Sequence, residues 1–180
     1  PLLTELQIER RRVFFCLQHQ NNDWSKTIFT DESRFSTSPD CPTMWWVKRG
    51  EHVYIESNKH SFSIMVWGGI VGQTRTPLIK CPKILNSQSY VEMLEHNGIV
   101  DFYVGIGENA VFQQDGASCH TATSTRAWFA EKNVTLLENW PANSPDLSPI
   151  EQIWGIAKTF LIKRFGMVTP IANEDLEHAV

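Results

Sequence analysis

Three carboxylates stand out, because each falls where the chain could turn it toward the others. Asp31 closes the β-rich run Thr27-Ile28-Phe29-Thr30-Asp31. Asp115 closes a second such run, Ala110-Val111-Phe112-Gln113-Gln114-Asp115, and Glu151 lies in the first turn of a long amphipathic stretch. Strand ends in an α/β sheet lie close together, and a helix packed on that sheet can direct its first turn at the same rim. Converging carboxylates raise one another's pKa, so such a cluster requires a compensating cation. An all-oxygen donor set without His or Cys selects a hard ion, Mg²⁺ or Mn²⁺. Two such ions, about 3.5 to 4 Å apart, are the usual arrangement for in-line displacement at phosphorus.

Each acid also has a structural explanation. Asp31 and Asp115 suit strand-end turns. Ser148-Pro149-Ile150-Glu151 reads as Ser-x-x-Glu with proline at the first helical position, the spacing of a capping box. Capping and catalysis are compatible roles for Glu151.

The surrounding elements must position these acids. Leu2 to Gln20 reads as a helix on the period of Leu6, Arg10, Val13, Phe14 and Leu17, with the triplet Arg10-Arg11-Arg12 as a solvated face or a DNA contact. Arg34 to Thr37 continues the first strand, and Thr43 to Lys48 and Ser61 to Gly72 read as further strands. Arg49 to Lys59 reads as an exposed loop. Ser87 to His96 is expected to be a helix capped by Ser87, and Thr121 to Lys132 a second helix. Val134 to Leu137 reads as a strand, and the Pro-rich stretch from Trp140 to Pro149 as an ordered loop. Ile150, Ile153, Trp154, Ala157, Leu161 and Phe165 then mark one face of a helix. Trp45 and Trp46 suit cross-strand packing better than base stacking.

A chain of 180 residues with 42% hydrophobic residues and seven tryptophans is one packed domain's worth, which excludes disorder, collagen and coiled coil as whole-chain readings. The best apolar run, Ile64 to Val71, is broken by Gly68 and Gly69 and is far short of a membrane span, so a soluble protein without membrane contact is expected. The chain begins at Pro1 with no basic-then-apolar leader, which suggests a piece of a longer protein. Cys16, Cys41, Cys81 and Cys119 lack zinc-module spacing and fit reduced thiols. Gly68-Gly69 is no phosphate loop, which excludes a P-loop ATPase. The net charge of −4 argues against a dedicated nucleic-acid-binding module, since those are usually basic. An enzyme acting on nucleic acid can still be acidic, if its acids cluster at a metal site and another domain grips the phosphates.

Three blocks carry a resemblance. Phe29-Thr30-Asp31-Glu32-Ser33-Arg34-Phe35, Phe112-Gln113-Gln114-Asp115-Gly116-Ala117-Ser118-Cys119-His120 and Ser144-Pro145-Asp146-Leu147-Ser148-Pro149-Ile150-Glu151-Gln152-Ile153-Trp154 resemble, in order, the catalytic blocks of the Tc/mariner superfamily of DNA transposases. The likeness extends over roughly Leu2 to Arg164. It implies an α/β, RNase H-like fold, a central mixed sheet flanked by helices, shared with retroviral integrases. It implies that Asp31, Asp115 and Glu151 are the catalytic, metal-binding triad, holding two Mg²⁺ or Mn²⁺ ions, with His120 and Gly116 in supporting positions. It implies cleavage at transposon ends and joining of the freed 3′ hydroxyl to target DNA, usually at TA. The expected partners are double-stranded DNA, both terminal repeats and target, and a second copy in a homodimer of the full-length protein. Lys48, Arg49 and Lys59 border the loop that in relatives can contact DNA or a partner subunit.

The resemblance further implies a missing N-terminal DNA-binding domain. The division it suggests is a helix or linker over residues 1–20, a catalytic domain over 21–168, and the start of a further helix over 169–180. In a eukaryote the protein would act in the nucleus. Two departures are visible: Gly116 stands where relatives usually carry Asn, and 35 residues lie between Asp115 and Glu151, one more than in many relatives. Other readings of the same residues are an RNase H-like nuclease that only hydrolyses, and a domesticated domain that binds DNA or protein.

Overall fold

The computed structural model describes residues 4–9, 14–36 and 63–165. Arg10, Arg11, Arg12, Cys41, Trp45, Trp46, Lys48, Arg49, Lys59, the strand expected at Thr43 to Lys48 and the segment 169–180 lie outside the described residues.

A mixed sheet organises the domain. Its long central strand is β1 (Thr27–Ser36), paired antiparallel to β2 (Ser63–Val71) and parallel to the short β5 (Val111–Gln113). Two further short strands, β3 (Thr74–Arg75) and β4 (Ile79–Lys80), both pair antiparallel with β2. The turn from β2 to β3 places Gly72 at φ 54°, a left-handed conformation in which a side chain is strained, and Val71 then pairs with Thr74 in a two-residue hairpin.

Successive residues of a strand point to opposite faces, so β1 serves two environments. Ile28 and Glu32 share one face, and Trp67 is the cross-strand partner of Glu32. That side is covered by α2 (Ser87–His96), α3 (Ile99–Ile106), the single turn α4 (Ser118–Thr121) and α5 (Thr123–Glu131). Ile28, Trp67, Tyr90, Leu94, Phe112 and Phe129 are fully enclosed there, with Trp67 stacked on Phe112 at 6.5 Å and Phe112 against Phe129 at 5.2 Å. On the other face Phe35, with Ile64 and Val66 of β2, packs against Ile150, Trp154 and Leu161 of α6 (Pro149–Phe165).

A glycine sets how closely α6 approaches. Gly68 is paired with Asp31, and a Cβ there would meet Leu78 at 3.0 Å and the Trp154 indole at 3.1 Å. The indole therefore occupies the space a side chain would fill. Glu151, three residues before Trp154 and so on the same side of α6, is carried over the sheet near Asp31.

Several expectations need correction. Within the helix expected over Leu2 to Gln20, the described residues form α1 (Glu5–Glu9) and a helical stretch over 14–18 with a wide turn at 14–16, which advances the face relative to a regular 3.6 period. Phe15 is accordingly buried at 5% exposure while Phe14 stands 65% exposed. Phe15 lies against His19 and Trp140 at 4.4 and 5.3 Å, and this aromatic contact fixes which residue is enclosed. The cap of α2 is Asn86, not Ser87: the Asn86 side chain accepts from Ser89 N–H, and the Ser89 hydroxyl accepts from Asn86 N–H. The expected helix from Thr121 is broken at Ala122, whose backbone is extended, giving α4 and α5. Val134 to Leu137 makes only the single parallel bridge Phe112–Leu136, and Ile153 on α6 is exposed. The helix α3 falls where no element is expected from the sequence.

Candidate active site

The register of the sheet aligns the two aspartates. Phe29 pairs with Gln113 in the parallel β1–β5 ladder, and Asp31 and Asp115 each lie two residues further on. Asp31, expected in or at the end of a strand, sits mid-strand, since β1 runs on to Ser36, whereas Asp115, expected at a strand end, lies just beyond the end of β5. Glu151 enters from the first turn of α6. Asp31, Asp115 and Glu151 line one cavity of about 380 Å³ together with Thr30, Gln113 and Gly116. The segment from Trp140 to Pro145 walls it, with Asn143, and Asn139 just before the segment, in the left-handed backbone conformation at φ 54° and 59°.

Electrostatics distinguish the acids. Burial, then the nearby charge of Glu151 and further carboxylates, push the Asp31 carboxyl up to about 7. Asp115 goes the other way. Its Oδ1 accepts from His120 Nδ1 at 2.6 Å and from the Ala117 N–H at 2.9 Å, and the His120 bond chiefly holds it below the usual carboxylate range. Burial disfavours charge on His120, but hydrogen bonds to Asp115 and then Glu32 outweigh it and raise the imidazole to about 10. At neutral pH His120 is thus an imidazolium between two carboxylates, with Glu32 Oε1 3.2 Å from Nε2.

The capping reading of Glu151 is corrected in its hydrogen bonding. The Ser148 hydroxyl is buried without a hydrogen-bond partner, and the Glu151 N–H donates to the Ser148 carbonyl at 3.2 Å. A capping box needs that N–H on the hydroxyl. Proline does occupy the first helical position. Gly116 lies at the cavity with open space where a Cβ would stand, so no steric requirement excludes Asn there.

The donor set suits a hard divalent cation. Besides three carboxylates, the cavity is lined by Gln113 and Ser148, whose side-chain oxygens are buried and make no hydrogen bond. The high Asp31 value marks negative charge awaiting compensation. Among the described residues no three His, Cys, Asp or Glu side chains yet close on a single point, so binding would require the carboxylates to draw inward. Sequence reasoning missed Glu32. Its signal was the alternation of β1, which sends the neighbour of Asp31 to the opposite face, where His120 lies.

Comparison with known proteins agrees with this geometry. Residues 26–168 match the family described as DDE superfamily endonuclease. The chain is 33% identical over 157 residues to the Tc3 transposase of Caenorhabditis elegans, covering 81% of this chain and 45% of that protein. To the Tc1 transposase of the same organism it is 32% identical over 145 residues, covering 77% and 52%. The chain belongs to the DDE superfamily of endonucleases, in its Tc/mariner transposase branch. It spans about half the length of these relatives. Its fold superimposes on the Mos1 transposase paired-end complex with left transposon end at a TM-score of 0.74 and 17% identity, covering 99% of this chain and 54% of that one. It matches the catalytic domain of Mos1 mariner transposase at 0.59 and 17%, covering 99% and 80%. These likenesses carry the RNase H-like fold, the mixed sheet flanked by helices.

Proposed function

We propose that this chain is the catalytic domain of a cut-and-paste DNA transposase, with Asp31, Asp115 and Glu151 as its catalytic and metal-binding residues. The convergence of these acids on one cavity, from adjacent strands and the first turn of α6, carries the reading. Mos1 relatives of the same fold have been solved with Mg and with Mn, which supports a divalent ion here. Two Mg²⁺ or Mn²⁺ ions, when bound, would activate the attacking oxygen and stabilise the leaving oxygen at phosphorus. The three carboxylates would hold them. His120 orients Asp115, and burial keeps Asp31 poised to exchange its proton for a cation.

The substrates are the two DNA species of such a reaction, transposon terminal repeats and a target, with TA as the favoured target step. Net charge −4 leaves phosphate grip and repeat recognition to other parts of the full-length protein, which would act as a homodimer, in the nucleus of a eukaryotic host. Among the described residues no helix is long and apolar enough to cross a membrane. A test incubates the full-length protein with Mg²⁺, a pre-nicked transposon-end duplex and a TA-containing plasmid. Joined products are expected. Hydrolysis without joining would favour a nuclease, and neither product, a domesticated binding domain.

A further inference from the structure

Glu32 stands outside the cavity, yet its carboxylate is the far end of a chain of contacts that reaches into it. We propose that Glu32 is a positioning residue: acting through His120, it fixes the Asp115 carboxylate for divalent-cation binding. This rests on the metal-binding reading of Asp115 given above.

The geometry begins with β1. Asp31 faces α6, so Glu32 faces the helices on the opposite side, where its cross-strand partner is Trp67. Its side chain is only 13% exposed, and a carboxylate so placed is costly unless paired. The partner is His120, whose side chain is 3% exposed and whose Nε2 lies 3.2 Å from Glu32 Oε1. A carboxylate only accepts, so Nε2 must carry a proton to make this contact. Nδ1 likewise donates to Asp115 Oδ1 at 2.6 Å.

The ring between them is held in place. Tyr90 packs on it with centroids 4.4 Å apart, and the Tyr90 hydroxyl donates to Gln114 Oε1 at 3.0 Å. Gln114 Nε2 in turn donates to the His120 carbonyl at 3.1 Å. With the Ala117 N–H also on Asp115 Oδ1, that oxygen is held by two donors, which sets the carboxylate plane and leaves Oδ2 with the remaining coordinating capacity. The Asp115 side chain is itself 53% exposed, so its neighbours do not enclose it, and the relay supplies the orientation that packing does not. Partners of this kind, one bond removed from a metal ligand, typically change metal affinity 10- to 100-fold when lost.

The test measures Mn²⁺ binding to the chain by electron paramagnetic resonance, with folding checked by circular dichroism at the same temperature. Glu32→Leu should bind Mn²⁺ roughly 10-fold or more weakly. Glu32→Gln, which still accepts from Nε2, should stay within a few-fold of wild type, and Glu32→Asp, a methylene shorter, should fall between. His120→Asn should lose at least as much as Glu32→Leu, and the double variant no more than His120→Asn alone, because both act along one path. Wild-type affinity in Glu32→Leu, or additive losses in the double variant, would overturn the relay. Should Glu32→Leu not fold, wild-type affinity in Glu32→Asp would overturn it instead. Asp115→Asn and Asp31→Asn separate the two levels: if both bind Mn²⁺ as wild type does, the active-site assignment itself fails.

Discussion

The two faces of the central sheet are built from the same strands and do opposite jobs. On one, Ile28, Trp67, Phe112 and Phe129 close into a continuous core beneath α2 to α5. On the other, a smaller cluster around Phe35 and Trp154 supports a single long helix, and the sheet beyond it opens into the acidic cavity. The larger core lies on the face away from the acidic cavity, and the face that carries the cavity is the more thinly covered. Because β1 alternates, each residue step along it crosses from one regime to the other.

The strongest test of that division pairs a substitution on each face. Asp31→Asn should reduce cleavage and joining by about three orders of magnitude or more, some 4 kcal/mol of transition-state stabilisation, while the fold survives. Phe112→Ala should instead cost ~3–5 kcal/mol of stability, read as a lower urea midpoint. If Asp31→Asn unfolds the chain, or Phe112→Ala leaves its midpoint unchanged, the two faces are not divided in this way.

A second prediction sharpens it through pH. Asp31 binds its proton more tightly folded, up to about 7, than unfolded. The stability this contributes is complete below pH ~4 and lost as pH rises to about 7, so metal-free wild type should melt lower at pH 8 than at pH 5. His120, raised to about 10, gives a slope of the same sign between pH ~6.5 and 10. The Asp31 share, discounted for partial exposure, is ~2 kcal/mol, or roughly 5 °C. Asp31→Asn should abolish that share and keep the His120 slope. A parallel pH dependence of the two proteins between pH 4 and 7 would contradict it.

Between the faces stands Gly68. Gly68→Ala should push α6 outward, costing ~1–3 kcal/mol and lowering activity further than the stability loss explains. Full activity at a temperature where the variant is folded would show that Trp154 does not set the reach of Glu151. The smallest effect falls on Ser148. Its hydroxyl makes no cap, so Ser148→Ala should shift stability by less than ~0.5 kcal/mol, where a capping serine would cost ~1. A full capping loss in thermal melts would restore the capping box.

Much of this was legible in the sequence where local patterning and tertiary packing agree. The runs ending near Asp31 and Asp115 and the amphipathic stretch after Pro149 formed the expected elements because their apolar positions match what the sheet buries. The expectation failed where long-range contacts decide. Ile99–Ile106 is helical despite β-branched Ile99, Val100 and Val104, each a weaker helix former than Leu or Ala, because Ile99 and Tyr103 are buried in the covered core. Phe15 rather than Phe14 turned inward because Trp140, distant in sequence, packs against it. Glu32 escaped notice because its partner is 88 residues away and no local motif joins them.

Trp140 has a consequence of its own. It borders the acidic cavity, and it also borders a separate cavity of about 330 Å³ lined by Phe15, His19, Trp24 and Phe29. One indole is therefore a party wall between two compartments of opposite character, one acidic and one aromatic. Any displacement of that wall is felt in both, and thermodynamic reciprocity binds them: a molecule seated among the aromatic rings that alters cation affinity next door by some factor has its own affinity altered by cations by the same factor.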